Sequence, residues 1–98
     1  MSEMKISQLD TIIHSPVRLA VISILISAKE ADFNHLKKTI GTSDGNLSTH
    51  LTKLEQRGMI EIRKTFVGKK PATICKITSK GRQAFTRYIE ALERIIKR

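Results

Sequence analysis

The sequence predicts a mainly helical α+β domain occupying residues 1–98. Three observations predict it. Apolar residues recur at helical spacing from Ile6 to Leu54. Between Met59 and Ile77 the period changes from 3.6 to 2, and from Ala84 to Ile96 it returns to 3.6. At this length there is room for one modest core and none for a second, catalytic domain beside it.

Met1 to Lys5 reads as a polar lead-in. Ile6, Leu9, Ile12 and Ile13 then mark a short first helix or turn, which His14-Ser15-Pro16 interrupts. Ser15 as N-cap and Pro16 at the first helical position restart a helix, because the missing proline N–H has no partner to lose there. Val17 to Ile26 is apolar almost all round and belongs at the centre of the core. Lys29-Glu30-Ala31 reads as a polar connection. Asp32 caps a helix from Phe33 to Ile40, with Phe33, Leu36 and Ile40 inward and Lys37 and Lys38 outward; Gly41 ends it.

Only Thr42 separates that helix from the next N-cap, Ser43. Asp44 places a negative charge where the helix dipole favours one, and Gly58 stands where a left-handed residue closes the helix. The helix predicted over 43–57 buries Leu47, Leu51 and Leu54, spaced i, i+4, i+7. Its other face carries Gly45, Asn46, Ser48, Thr49, Thr52, Lys53 and Gln56. Such short hydrogen-bonding side chains let a helix approach base edges closely in a major groove. The same pattern also describes an ordinary amphipathic surface helix, so wider context decides. Two short helices joined so tightly form a helix-turn-helix pattern.

Ile60 and Ile62 alternate inward along a strand, and Cys75 and Ile77 share a face of a second one. Val67 to Pro71 is turn material. The wing predicted over about 60–77 is thus a two-stranded hairpin tipped by Lys69 and Lys70 and flanked by Arg63, Lys64 and Lys76. Thr78 caps a long last helix over about 78–98. Phe85, Tyr88, Ile89, Leu92, Ile95 and Ile96 line one wide side of it, more than one protomer of this size has core to cover. Together with Ile6, Leu9 and Ile13 they are the candidate dimer interface. Helix-turn-helix, basic hairpin and long helix make a winged helix arrangement.

Composition narrows the partner. The net charge of +9 points to a polyanion, and nucleic acid is the usual one. A single cysteine, Cys75, excludes an internal disulfide and fits a reducing compartment. No apolar run approaches the ~20 residues of a membrane span, and Met1 to Asp10 lacks a signal-peptide pattern. The expected location is cytoplasmic. His14, His35 and His50 lie on separate elements with no i, i+4 pairing, so neither metal nor cofactor is expected. No nucleophile–base pattern or glycine-rich phosphate loop is present, so the chain is not expected to be an enzyme.

Several segments, in the same order, resemble the small winged-helix transcriptional regulators of the MarR/ArsR-like superfamily. They are Leu9-Asp10-Thr11-Ile12-Ile13-His14-Ser15-Pro16-Val17-Arg18-Leu19, Asp44-Gly45-Asn46-Leu47-Ser48-Thr49-His50-Leu51, Gly68-Lys69-Lys70-Pro71-Ala72-Thr73 and Thr78-Ser79-Lys80-Gly81-Arg82. The resemblance implies a helical homodimer on double-stranded DNA, with the 43–57 helix in the major groove and the wing on the backbone or minor groove. Wings of such proteins often carry arginine as well as lysine. The Lys69-Lys70 pair departs from that and points to phosphate contact.

The candidate DNA-binding residues are therefore Ser43, Asp44, Asn46, Ser48, Thr49, His50, Lys53, Lys64, Lys69 and Lys70. Asn46, Ser48 and Thr49 are the candidates for base contact; His50 is structural or meets a phosphate, and Lys53 meets a phosphate. Cys75 reads as a small apolar filler of the wing strand. Two alternatives to a sequence-specific regulator stand beside it, a non-specific chromosome-associated protein and a winged-helix module that binds protein. The sequence assigns no small-molecule effector.

Overall fold

The structure, a computed structural model, describes residues 6–97, so the lead-in from Met1 to Lys5 lies outside the described residues, as does Arg98. A 3-10 turn, Ile6–Gln8, opens the chain where a short helix or turn was expected. Asp10 then organises the approach to the first long helix, its carboxylate accepting from the Ile12 and Ile13 amides. The four helices are α1 (Pro16–Ala28), α2 (Phe33–Ile40), α3 (Asp44–Gln56) and α4 (Ser79–Ile96). Each begins at the cap the sequence names. Ser15, Asp32, Ser43 and Thr78 are all extended, and each side chain accepts from an amide of its helix's first turn.

Two of the four helices end at a glycine. Gly41 (φ 76°) and Gly58 (φ 72°) take the left-handed conformation that closes α2 and α3. After α1 a positive φ falls instead on Lys29, a non-glycine residue at φ 69° and ψ −48°. Two bonds hold it there: its amide donates to the Leu25 carbonyl, and its own carbonyl accepts from Ile77.

Residues 29–31 are more than a connection. Glu30–Asp32 forms strand β1, which pairs antiparallel with β3 (Lys70–Ile77) in the register Ala31↔Cys75. With β2 (Ile60–Val67) the sheet has three strands in the order β1-β3-β2. Three residues without an apolar alternation give no strand signal. They pair because the inner half of β3 would otherwise leave a polar edge beside α1.

The wing turn is also tighter than its composition suggests. Val67 pairs with Lys70, so only Gly68 and Lys69 lie between the strands. Gly68, at φ 65°, occupies the first central position, where a two-residue hairpin turn favours positive φ. Phe66 pairs with Pro71. By the alternation of an antiparallel ladder this is a non-hydrogen-bonded pair, so the missing proline N–H would point away from β2. β1 reaches β3 only from Ile74 to Lys76, which leaves the outer part of the hairpin as a free two-stranded ribbon.

The core lies between α1, α3, the inner sheet and the middle of α4. Val21, Ile22 and Leu25 of α1 meet Leu36, Leu47, Leu51 and Leu54, with Ile60, Cys75 and Ile77 of the sheet, Ala84 and Tyr88 of α4, and Ile13 of the approach segment. Fully burying each of the three α3 leucines contributes about 1.5–3 kcal/mol, which fixes the face that α3 turns to solvent. α4 begins against the sheet end at a glycine. A Cβ on Gly81 would stand 2.2 Å from the Met59 carbonyl oxygen, so this first turn packs directly on backbone. The chain is elongated, 59 Å along its longest axis and 25 and 21 Å across.

Candidate nucleic-acid interface

The exposed face of α3 is built by its caps and its leucines together. With Leu47, Leu51 and Leu54 fully inward, Ser43, Asp44, Asn46, Ser48, Thr49, Thr52, Lys53 and Gln56 are all exposed. Much of this face is internally bonded. The Asn46 amide donates to Ser43 Oγ at 3.2 Å, and its side chain donates to Thr42 Oγ1 at 2.7 Å. Thr49 Oγ1 donates to the Gly45 carbonyl and Thr52 Oγ1 to that of Ser48. Those bonds hold the side chains in place and leave the oxygens of Asn46, Thr49 and Thr52 free to accept.

Asp44 is tied to the preceding helix. Lys37 Nζ lies 2.7 Å from its carboxylate, which offsets the one acid in the first turn of α3 and links α2 to α3. An exposed pair of this kind contributes at most about 1 kcal/mol. Its consequence here is electrostatic, since it leaves the N-terminal half of α3 close to neutral.

The wing stands beside this face. Along β2, side chains that point to the α3 side alternate, so Ile60, Ile62, Lys64 and Phe66 share it, opposite Ile77, Cys75, Thr73 and Pro71. Ile60 and Cys75 are buried; further out, Lys64 and Thr73 line a groove with Ser48, Thr52 and Glu55 of α3. The tip carries exposed Lys69 and Lys70 together with Phe66 and Val67, about two-thirds exposed. The structure thus brings Ser48, Thr52 and Lys64 to one groove, with Lys69 and Lys70 beyond it at the end of the ribbon.

His50 sits apart from that groove, half-buried on the flank of α3 toward α1. Its Nδ1 lies 2.8 Å from Arg18 Nη1. Burial pushes its pKa down, and the neighbouring positive charges of Arg18 and Lys53 push it the same way. Arg18 itself was not among the sequence candidates. It is buried, and its Nε donates to the Ile12 carbonyl. The signal that could have found it is a lone charge in the otherwise apolar run from Val17 to Ile26. Two residues after Ile12, His14 Nδ1 lies 2.7 Å from the Tyr88 hydroxyl. One short segment therefore touches α3 through Arg18 and α4 through His14.

The residues expected at a dimer interface divide into three groups. Ile13 and Tyr88 are buried within the protomer itself, at 0% and 2% exposure. Leu9, Phe85, Ile89 and Leu92 pack partly on the core and keep a free side. Ile6 and Ile96 are 66% and 69% exposed. Cys75 is buried in β3, and burial, with the Glu55 carboxylate adding to it, raises its thiol pKa to about 11. Among the described residues no group of three or more His, Cys, Asp or Glu side chains is placed to hold a metal. No helix among them is long and apolar enough to cross a membrane.

A helix-turn-helix seated on a hairpin wing is the architecture of DNA-binding transcriptional regulators, and comparison with known proteins agrees. The winged helix DNA-binding domain family matches residues 17–96, and the chain belongs to that family. It is 40% identical over 86 residues to an uncharacterized protein of Methanocaldococcus jannaschii, covering 88% of this chain and 94% of that one. Its fold is that of the transcriptional regulator homologue from Pyrococcus horikoshii OT3, with a TM-score of 0.82 at 29% identity over 88% of this chain and 85% of that one. It is similar in fold to the PcaV transcriptional regulator of Streptomyces coelicolor, with a TM-score of 0.78 at 16% identity, covering 96% and 68% of the two chains. A MarR-like regulator of Thermotoga maritima shares the fold at a TM-score of 0.61 and 18% identity, over 99% and 64%. The family is one of DNA-binding regulators and not of enzymes.

Proposed function

We propose that this chain is a single-domain, sequence-specific regulator of transcription that binds double-stranded DNA as a homodimer. The observation that carries the reading is the exposed, capped polar face of α3 lying beside a free basic wing. α3 enters the major groove, where Ser43, Asn46, Ser48 and Thr49 meet base edges or the adjoining backbone. Lys53 and His50 on α3, and Lys64, Lys69 and Lys70 on the wing, contact phosphates and carry no sequence information of their own. Asp44 orients the helix start through Lys37 instead of meeting the anionic backbone.

The second protomer covers the apolar side of α4 and the opening turn. Ile6, Leu9, Phe85, Ile89, Leu92, Ile95 and Ile96 form its contact surface, while Ile13 and Tyr88 support that surface from beneath. The elongated shape favours this arrangement. A two-fold pair places its recognition helices on successive major grooves when they stand ~34 Å apart, which a palindromic site rewards.

The test joins assembly to binding. Parent protein and the Leu92→Asp, Ile96→Asp double variant are compared by sedimentation and by titration of genomic fragments against random duplex. The expected result is a parental dimer that selects particular fragments, and a monomeric variant that binds them poorly. A parent that sediments as a monomer at micromolar concentration contradicts the dimer. A parent that binds all duplexes alike is a non-specific chromosome-associated protein, and one that binds none is a protein-interaction module.

A further inference from the structure

Arg18 is out of place for a cation. It is 8% exposed, the only charged side chain among the described buried residues, and no ion pair among the described residues includes it. Burying a guanidinium is costly unless its N–H groups find acceptors and some negative group answers its charge. Acceptors are present, in the Ile12 carbonyl and His50 Nδ1. No carboxylate among the described residues answers the charge.

The bond to His50 fixes the imidazole. A guanidinium in a protein stays protonated and offers no acceptor, so Nδ1 must accept in this bond. The neutral ring then carries its proton on Nε2. Burial and the two nearby cations hold the ring neutral, which keeps Nδ1 able to accept. No hydrogen bond to Nε2 occurs among the described residues, and no buried side-chain nitrogen or oxygen lacks a partner, so Nε2 reaches solvent. The charged groups around it are Arg18 from α1 and Lys53 from α3 itself; the segment before α1 contributes the Ile12 carbonyl.

We propose that Arg18 and His50 form a phosphate site at the edge of the DNA interface. The His50 Nε2–H donates to a backbone phosphate, while buried Arg18 positions the ring and supplies positive charge behind it. This rests on the reading of α3 as the DNA helix. A phosphate fits because it is an acceptor-only anion, and among the described residues the site presents one outward donor, two cations and no acid. The DNA backbone is thus the counter-charge that Arg18 lacks, and Arg18 is a positioning residue that never needs to touch it. The same guanidinium grips the Ile12 carbonyl, so the seat of α3 is tied to the segment that His14 fastens to α4.

A double-mutant cycle on a fluorescent random-sequence duplex tests this, because binding to a phosphate does not depend on an operator. His50→Leu and Arg18→Met each lower affinity roughly tenfold, as loss of one charge-assisted bond implies. The double variant binds no worse than either single one. His50→Gln, whose amide can accept from Arg18 and donate outward, loses less affinity than His50→Leu. Nitrogen-15 spectra of the parent imidazole show the Nε2–H tautomer, with the Nε2 signal moving as duplex is added. Should Arg18→Met not fold, the His50 variants and the spectra decide the matter. Additive losses, a proton on Nδ1, or an unchanged affinity in His50→Leu while the parent binds would overturn this site alone. A parent that binds no duplex would overturn the DNA reading and this site with it.

Discussion

Replacing Gly81 by alanine sets two effects of opposite sign against each other. Gly81 lies in the first turn of α4, where helix propensity alone favours alanine by up to ~1 kcal/mol. The structure predicts the reverse outcome. The new Cβ would stand 2.2 Å from the Met59 carbonyl oxygen and 3.1 Å from its carbon, whereas ordinary van der Waals separation begins at 3.4 Å. The obstacle is backbone, held by the bond that Met59 O accepts from the Thr78 amide. Relief requires α4 to retreat by about 1.2 Å, opening its packing on Ile77 and the strand end; overpacking of this kind typically costs ~1–3 kcal/mol. Net destabilisation of about 1–2 kcal/mol lowers the melting temperature by roughly 4–15 °C in a chain of this size. Thermal unfolding followed by circular dichroism reads it directly. A Gly81→Ala protein as stable as the parent, or more so, would refute the account of how α4 is seated. There is a functional consequence as well, because α4 is ~27 Å long and a shift at its start is carried along to the proposed dimer surface.

Three further outcomes follow from the site. Lys69→Ala with Lys70→Ala weakens binding to all duplexes alike and flattens the salt dependence by about one unit of slope for each phosphate left without its lysine; an unchanged slope removes the wing tip from the interface. Cys75, with its thiol pKa raised to about 11, stays unreactive to a thiol reagent at neutral pH until the protein is denatured, and rapid modification of the folded protein contradicts its burial. His50 makes the fold acid-sensitive: its folded pKa lies below the unfolded value near 6.5, so the unfolded chain binds the proton first. Stability is therefore highest above about pH 6.5 and falls as pH drops through and below that value; urea titrations of His50→Gln should show less of that loss, and an identical pH profile in parent and variant refutes it.

The helices were legible because their starts are chemical. Ser15, Asp32, Ser43 and Thr78 are short side chains that bond the orphan amides of a first turn, and each does so. Strand β1 was not legible, since Glu30-Ala31-Asp32 has no pattern of its own and is recruited by the edge of β3. The turn of the wing was narrower than its glycine-, lysine- and proline-rich composition suggested, because Gly68 alone supplies the backbone freedom a two-residue turn needs. Periodicity likewise marks an apolar stripe without saying what covers it: Ile13 and Tyr88 belong to the stripes expected at a dimer interface, and the protomer's own core takes both. Arg18 was missed because a charged residue in an apolar helix reads as surface until its partners, Ile12 and His50, are seen on other segments.

On the proposed reading, the polar face of α3 reads DNA sequence. The most direct test of that reading is the affinity ratio between a fragment selected from the protein's own genome and random duplex, measured for the parent, Asn46→Ala and Thr49→Ala. Both side chains are exposed; Thr49 bonds only within its own helix and Asn46 only to Thr42 in the turn just before the cap, so both variants should fold normally. Each variant is expected to lose ~1–3 kcal/mol of preference for the selected fragment while its affinity for random duplex stays near the parental value. Parental ratios in both variants would contradict it.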